Sequence, residues 1–114
     1  MKKKYLNKVI IGNGVLNNKG VYATRDFKKD EIVIKYNLTP LTRKGFEKLP
    51  EKEKWFAHIL NDTIFLFGEP ERYVNHSDTP NTFQAYRNGW CDIALKDIKE
   101  GEEITTDSTK EISP

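Results

Sequence analysis

Short runs of β-branched and aromatic residues, each closed by a turn, recur along this 114-residue chain. Runs of this kind predict strands. The clearest pair, residues 82–86 and residues 90–95, flanks Asn88-Gly89, a dipeptide that strongly favours a β-hairpin. The runs do not alternate regularly with helices, which excludes a doubly wound nucleotide-binding fold. The sequence therefore predicts a mainly β fold built from many short strands.

A small helical insertion is predicted at about residues 42–61. Thr42 can cap a first short helix, and Leu49-Pro50 ends it. Pro50 also suits the first turn of a second helix. The apolar side chains of that second helix would share one face: Trp55, Phe56, Ile59 and Leu60.

Two segments of the chain share one layout. Residues 23–31 and residues 94–102 both run from a strand through a polar turn towards another strand. Asp30 stands in the first segment where Gly101 stands in the second, and both residue types tolerate left-handed backbone. We therefore expect two similar corners, without inferring a duplication.

Composition narrows the class of protein. A net charge of +2 with 32 % charged residues predicts one soluble domain with a mixed-sign surface. The basic start, Lys2-Lys3-Lys4, is typical of a solvated terminus, so no nucleic-acid partner is expected. No apolar run approaches the ~18 residues of a membrane span, and no apolar signal region follows the first lysines. We expect a cytoplasmic protein without a membrane partner.

Cys91 is the only cysteine, which excludes an internal disulfide. It alternates with Ile93 and Leu95, a pattern that predicts a small core residue on one strand face rather than a nucleophile. Together with His58 and His76 it provides no spaced set of ligands for zinc. No metal is therefore expected.

Residues 72–81 form a polar run between two apolar segments. Asn, Asp, Ser and Thr side chains can bond to the local backbone, and Pro80 fixes one φ angle. Asn75 and His76 are the side chains of this run best suited to hold another segment or the polar edge of a ligand. An ordinary Asx-rich turn would explain the same composition.

Gly20 stands where the chain leaves a turn-rich cluster and enters the strand-like run Val21-Tyr22-Ala23-Thr24. A glycine there lets the backbone approach a ligand closely. A plain hairpin turn would account for the glycine equally well.

Three segments resemble, in order and spacing, the signature segments of the SET domain. They are residues 19–29, the element Asn75-His76-Ser77 with Pro80-Asn81, and residues 94–104. The Asn-His-Ser element is the most specific of the three. The resemblance implies the SET-domain, or β-clip, fold of short strands, in which the C-terminal segment threads through a loop.

By this resemblance the chain is a single SET domain over residues 9–108, which contains the helical insertion. Residues 1–8 would be a basic N-terminal segment, and residues 109–114 a short C-terminal tail.

Proteins of this family transfer a methyl group from S-adenosylmethionine to a protein lysine. The resemblance implies that Lys19-Gly20-Val21-Tyr22 supplies backbone contacts to the cofactor. It also implies that Asn75 and His76 hold the adenosine end, and that Tyr36 belongs to an aromatic channel for the lysine. A core or rim position would account for Tyr36 equally well. A lysine ammonium, whose reference pKa is about 10.4, must lose a proton before it can attack the methyl carbon.

The chain departs from the family pattern near its C-terminal end. Ser108 stands where the family usually has a catalytic tyrosine, and Thr106 stands where another aromatic residue is usual. Two functions are therefore open. One is a SET-type protein-lysine methyltransferase that acts on a protein or peptide lysine, with Tyr36 and Ser108 at its catalytic site. The other is a catalytically impaired SET module that binds cofactor or peptide without efficient methyl transfer. A partner chain, for example in a homodimer, could complete so small a site.

Overall fold

The structure is a computed structural model and describes residues 8–13 and 19–107. Its strands, in chain order, are β1 (Val9–Asn13), β2 (Lys19–Ala23), β3 (Ile32–Lys35), β4 (Leu38–Leu41), β5 (Ala57–Leu60), β6 (Thr63–Phe67), β7 (Asn75–His76), β8 (Thr82–Tyr86), β9 (Trp90–Ala94) and β10 (Glu103–Thr106). Two short helices, α1 (Arg43–Glu47) and α2 (Glu51–Lys54), lie between β4 and β5, and a 3-10 turn spans Glu71–Tyr73. The predicted mainly β fold is confirmed, as is the hairpin at Asn88-Gly89.

The described strands pair in three small sheets. The first has the order β1-β2-β10-β7, the second β3-β9-β8 and the third β4-β6-β5. Strand β10 runs antiparallel to β2 and parallel to β7, with Thr105 opposite Asn75 and Thr106 opposite His76. Strand β10 therefore lies between the two segments that were predicted to hold a cofactor.

The main apolar core joins the first and second sheets. Its buried side chains are Val9, Val21, Ala23, Phe27, Val33, Ile34, Ala94, Ile98 and Ile104. Burial of each side chain of valine or isoleucine size stabilises a fold by roughly 1.5–3 kcal/mol. Tyr36, Tyr73 and Val74 pack against this core. The core thereby fixes the end of β3 and the start of the polar loop, the two places from which site residues project.

The two similar corners pair with each other. Phe27 N donates to Ile98 O, and Ile98 N donates to Phe27 O, both at 2.8 Å. Asp30 and Gly101 both have positive φ, at 76° and 91°. The predicted shared conformation of the corners is therefore confirmed.

Each corner also caps the backbone of the other. Lys29 N donates to Asp97 Oδ1 at 2.9 Å, and Glu100 N donates to Asp26 Oδ1 at 2.8 Å. A carboxylate that accepts from a turn N–H satisfies a donor that would otherwise need water. The reciprocal arrangement closes the part of the fold where β2 and β9 end.

The second helix is shorter than predicted. Helix α2 ends at Lys54, Trp55 and Phe56 lie in a turn, and Ala57–Leu60 form β5, which pairs antiparallel with β6. Trp55 and Ile59, predicted to share one apolar face of a helix, are 77 % and 54 % exposed. The prediction of a helical insertion over residues 42–61 is therefore wrong in its last part. Within the described ranges, no helix is long and apolar enough to cross a membrane.

The turn after β5 explains this error. Asn61 and Asp62 have φ values of 52° and 68°. Positive φ at two central residues is typical of the tight turns that join antiparallel strands. This dipeptide closes the hairpin between β5 and β6, and the pairing of these strands outweighs the helical spacing of a few apolar residues.

Strand β9 is the central strand of the second sheet, and its residues from Cys91 to Ala94 are buried on both faces. Cys91 is 1 % exposed and is a small core residue, as predicted, and Asp92 and Ile93 are 0 % exposed. Leu95 lies beyond the strand and is 41 % exposed, so the predicted face shared by Cys91, Ile93 and Leu95 is wrong at Leu95. The burial of a charged residue type, Asp92, is the main departure from the predicted alternation.

Candidate active site

Asn75 connects the polar loop to the start of β2. Its Nδ2 donates to Lys19 O at 3.0 Å and to Glu103 Oε2 at 2.8 Å. Its Oδ1 accepts no hydrogen bond from the residues that the structure describes. The structure thus brings together Asn75 and Lys19, two residues predicted at the cofactor, and leaves an amide oxygen available to a ligand.

Gly20 lies against the same contact. A Cβ atom added at Gly20 would be 2.8 Å from Glu103 Oε2 and 3.3 Å from Asn75 Nδ2. These distances are shorter than ordinary van der Waals contact, so a larger residue would displace one of the two side chains. The residue type at position 20 is therefore set by close approach of side chains to the backbone.

Val21 and Tyr22 continue β2 away from the polar loop. Val21 is fully buried in the core, and Tyr22 is half-buried with its hydroxyl donating to Asn13 O at 2.8 Å. Both residues pair with strands on two sides, β1 and β10. Neither side chain lines the cavity that lies beside Asn75. The backbone contact of Val21 and Tyr22 with a cofactor stays a prediction.

A cavity of about 420 Å³ opens beside Asn75. The polar residues on its wall include Asn75 and His76 of β7, Gln84 of β8 and Thr106 of β10. Aromatic side chains form another part of the wall: Tyr36, Trp55, Phe56 and Phe67. The cavity therefore brings the predicted cofactor residues Asn75 and His76 to the same space as the predicted channel residue Tyr36.

His76 contacts two carboxylates. Its Nε2 lies 3.0 Å from Asp78 Oδ1, and its Nδ1 lies 3.6 Å from Asp107 Oδ1. The next residue, Ser77, donates its N–H to Thr106 O at 2.9 Å. These contacts fix the end of the polar loop against β10.

The Tyr36 hydroxyl donates a short hydrogen bond to Asp92 Oδ1. Asp92 is fully buried, and its Oδ2 has no hydrogen-bond partner in the described part of the chain. Burial raises the pKa of Asp92 to about 7; the charge on Glu71 acts in the same direction, and the Tyr36 bond opposes both. Burial and the Asp92 charge raise the pKa of Tyr36 well above its usual range, so Tyr36 stays protonated at neutral pH.

Glu71 is a second buried carboxylate at this cavity. It is 3 % exposed, and its Oε2 accepts from Asn37 N at 2.6 Å and from Gly68 N at 2.9 Å. Its Oε1 is buried and has no hydrogen-bond partner within the described residues. Burial raises the pKa of Glu71, although the backbone N–H groups partly offset this effect. The Tyr36 end of the cavity is therefore acidic.

Asn81 holds β10 from the side opposite β2. Its Nδ2 donates to Glu103 O and its Oδ1 accepts from Thr105 N, both at 2.8 Å. Thr82 Oγ1 donates to Thr105 O at 2.8 Å. These bonds place the side chain of Thr106, which is 7 % exposed, on the cavity wall.

Of the two predicted catalytic residues, the structure places Tyr36 only. Ser108 lies outside the described residues, as do residues 1–7 and the predicted tail 109–114. At Thr106, where the family usually has an aromatic ring, the cavity wall carries a small side chain.

Three residues at the site were missed from the sequence: Glu71, Asp92 and Glu103. Asp92 could have been noticed, because it is an acidic residue inside the otherwise apolar run of residues 90–95. Glu103 carries no local signal, since the fold brings Asn75 to it, and Glu71 joins a local donor, Gly68 N, to a distant one, Asn37 N. The described part of the chain contains no group of three or more His, Cys, Asp or Glu residues that could hold a metal ion.

The fold and the cavity define a small β domain with an Asn-His loop beside an aromatic pocket. The family model of the SET domain matches residues 18–107. The chain therefore belongs to the SET domain family.

Individual relatives agree with this assignment. The chain is 32 % identical, over 107 residues, to the variant-silencing SET domain-containing protein of Plasmodium falciparum, covering 75 % of this chain and 4 % of that protein. It is 29 % identical, over 122 positions, to human histone-lysine N-methyltransferase 2D, covering 94 % of this chain and 2 % of the relative. The chain thus spans only a few per cent of the length of these relatives.

A solved structure shows the same fold. The crystal structure of a P. falciparum candidate histone methyltransferase superposes with a TM-score of 0.72. The superposition covers 90 % of this chain and 94 % of that one, at 22 % sequence identity. The SET-domain fold implied by the sequence resemblance is therefore confirmed.

Proposed function

We propose that this chain is an S-adenosylmethionine-dependent protein-lysine N-methyltransferase. One observation carries the proposal: a single cavity is lined by Asn75 and His76 and also by Tyr36. Methyl transfer to an amine requires the donor and the acceptor to be held in one space and aligned. A cavity with a polar wall and an aromatic wall suits these two ligands.

The groups around Asn75 suit a polar, charged cofactor. Asn75 Oδ1 can accept a hydrogen bond, and the nearby Glu103 carboxylate favours positive charge. Gly20 lets the Asn75 and Glu103 side chains pack directly against the backbone of β2. When bound, S-adenosylmethionine supplies an electrophilic methyl group. The role of this chain is to hold the cofactor and to exclude water from that methyl group.

The aromatic part of the cavity suits the stem of a lysine side chain. The Tyr36 ring lies 5.2 Å from the Phe67 ring, and the His58 ring lies 4.6 Å from Phe67 on another side. A narrow aromatic surface can bury the methylene stem, and the Tyr36 oxygen can accept a hydrogen bond from the amine. The relatives named histone-lysine N-methyltransferases support a lysine of a protein as the substrate.

Calorimetric titration with S-adenosylmethionine and with S-adenosylhomocysteine tests the proposal. We expect saturable binding to the wild type and at least tenfold weaker binding to Asn75→Ala, because that variant loses the bonds to Lys19 and Glu103. Thr39→Ala, on exposed β4, is the control and should bind as the wild type does. Absence of binding at millimolar cofactor would rule out the methyltransferase proposal for this chain.

A catalytically impaired SET module that binds cofactor or peptide is the second candidate function. The small Thr106 side chain on the cavity wall and Ser108 at the family's tyrosine position favour it. Methyl transfer from labelled S-adenosylmethionine to mixed core histones, compared between wild type and Ser108→Tyr, separates the two. A gain in the variant indicates a degraded site, whereas a loss indicates that Ser108 belongs to a working one.

A cytoplasmic location and a homodimer that completes the site are also proposed. The first rests on the sequence features given above, and the second on the small size of the domain and its open strand edges. Sedimentation equilibrium of the purified chain tests the homodimer, and a mass of 13.3 kDa at all concentrations would contradict it.

A further inference from the structure

Tyr36 lies between a buried carboxylate and the cavity. Its hydroxyl donates to Asp92 Oδ1, while the residue itself lines the cavity wall. Asp92 does not line the cavity and so reaches it only through Tyr36. A buried ionised carboxylate is costly unless a donor or a positive charge compensates it, and Asp92 Oδ2 and Glu71 Oε1 are both buried without a hydrogen-bond partner in the described residues.

The charge on Asp92 decides how Tyr36 can interact with a ligand. A phenol has one O–H donor and two acceptor positions. While Asp92 is ionised, the Tyr36 proton points to Asp92 Oδ1, so Tyr36 can present only acceptor positions to the cavity. When Asp92 holds a proton, its own O–H can donate to Tyr36, and the Tyr36 proton is free to turn towards the cavity.

We propose that Asp92 is a positioning residue which, through Tyr36, makes the cavity a receptor for a primary ammonium group, the charged form of a lysine side chain. This inference rests on the proposed function and deepens it, because it assigns the charge state in which the substrate enters. An ammonium group has only hydrogen-bond donors, and its positive charge compensates the negative charge of ionised Asp92. A side chain with the same four carbons but without the nitrogen gains nothing from this arrangement.

Two charged residues of the 3-10 turn face the same region. Glu71 lines the cavity with one buried oxygen unbonded, so it strengthens the preference for a cation. Arg72 also lines the cavity, but both of its terminal nitrogens are held by Glu53, at 3.0 Å and 3.1 Å. Its charge is therefore already compensated, and it does not oppose an ammonium strongly.

Four other titratable groups lie on the neighbouring elements. His58 and His76 line the cavity, and histidine side chains in general change charge near neutral pH. Cys91 precedes Asp92 in β9, and burial, followed by the Asp92 charge, raises its pKa so that it stays neutral. Lys35, opposite Cys91 in the ladder, is exposed. A test must therefore distinguish a pH effect that arises from Asp92 from one that arises from either histidine.

The test is the affinity of Nα-acetyl-lysine methylamide for the full chain at pH 6 and pH 8, without added cofactor, measured by NMR titration. The lysine amine stays protonated at both values, since its reference pKa is about 10.4. Asp92, with a pKa of about 7, changes from mostly neutral to mostly ionised. We expect affinity to rise about fivefold from pH 6 to pH 8, as a tenfold preference for the ionised form requires at this pKa, and Nα-acetyl-norleucine methylamide to show no rise.

Variants assign the effect to Asp92. Asp92→Asn should remove the pH dependence, Tyr36→Phe should weaken binding at both values, and His58→Asn should keep the rise. A rise that persists in Asp92→Asn, an equal rise for the norleucine amide, or no saturable binding of the lysine amide at either pH would overturn the proposal.

A measurement on the wild type alone covers the case in which Asp92→Asn does not fold. Linkage requires that a ligand bound tenfold more tightly to the ionised form lowers the pKa of Asp92 by about one unit. The carbon-13 shift of the Asp92 carboxyl group, followed against pH, should show this decrease with the lysine amide and none with the norleucine amide. An unchanged pKa overturns the proposal. Failure of the cofactor titration alone contradicts the proposed function and leaves these amine measurements standing.

Discussion

The Asn75 side chain donates to the Glu103 carboxylate at 2.8 Å beside the α-carbon of Gly20. The same amide also donates to Lys19 O, so one side chain joins the polar loop, β2 and β10. Strand β10 and the loop run parallel here, with Thr105 opposite Asn75. One amide thus adds side-chain hydrogen bonds to the strand pairing that holds these three segments together.

Gly20→Ala should weaken cofactor binding more than it weakens the fold. The added Cβ would lie 2.8 Å from Glu103 Oε2 and would push that carboxylate away from Asn75. We expect a loss of about 1 kcal/mol in the free energy of unfolding and a loss of at least tenfold in affinity for S-adenosylhomocysteine by calorimetry. Gly45→Ala, in α1, is the matched control and should keep wild-type affinity. Equal affinities of the two variants would contradict the prediction.

Asp92 should make the protein less stable as the pH rises. Its pKa is about 7 in the fold against an ordinary value of 3.8, so the folded state holds a proton that the unfolded chain has lost between these values. Stability therefore falls as the pH rises from about 4 to about 7 and stays lower above; the full effect corresponds to about 4 kcal/mol. Asp92→Asn should be more stable than the wild type at pH 8 and show a flatter dependence.

Urea unfolding at pH 5 and pH 8 measures this effect. Asp62→Asn is the control, because Asp62 is exposed in the turn between β5 and β6 and asparagine also tolerates its positive φ. The prediction is contradicted if Asp92→Asn is less stable than the wild type at pH 8.

Asn81→Asp should loosen β10. Aspartate cannot donate to Glu103 O, and its charge would lie in a site that is 5 % exposed. We expect a loss of about 2 kcal/mol in the free energy of unfolding, with faster amide exchange at Thr105. Asn61→Asp, in an exposed turn, should change stability by less than about 0.5 kcal/mol. Similar losses in both variants would show that Asn81 does not hold the strand.

The reciprocal corners predict matched effects of two substitutions. Asp26→Ala leaves Glu100 N unbonded, and Asp97→Ala leaves Lys29 N unbonded. Each should lower the free energy of unfolding by about 1 kcal/mol, measured by thermal unfolding. Glu47→Ala, at the exposed end of α1, should have little effect. A clear loss for one corner and none for the other would contradict the reciprocal description.

The sequence predicts the parts of this fold whose signals are local. Asn88-Gly89 places its hairpin, and Asp30 with Gly101 identifies the two corners, because positive φ favours these residue types. The strand Ala57–Leu60 was missed because its three apolar residues fit a helix and a strand equally well. Its pairing with β6 decides between the two, and pairing is a non-local property.

The site residues also differ in whether local sequence predicts them. The loop with Asn75 and His76 is recognisable from its composition and from the family resemblance, and Gly20 from its position before a strand. The acidic end at Asp92 is not, because the alternation of its strand predicts an exposed side chain. Asp92 is nevertheless fully buried, and the pairing of β9 with β3 brings it to Tyr36.

The reciprocal corners also constrain when the protein can fold. The residues that cap each other are 68 and 74 positions apart in the chain. During synthesis, the first corner therefore emerges from the ribosome before Asp97, the acceptor for Lys29 N, has been made. Contacts of such long separation slow folding, since a large loop must close before they form. A nascent chain that ends before residue 97 should remain open to proteases, and protection should begin only after the second corner has been made.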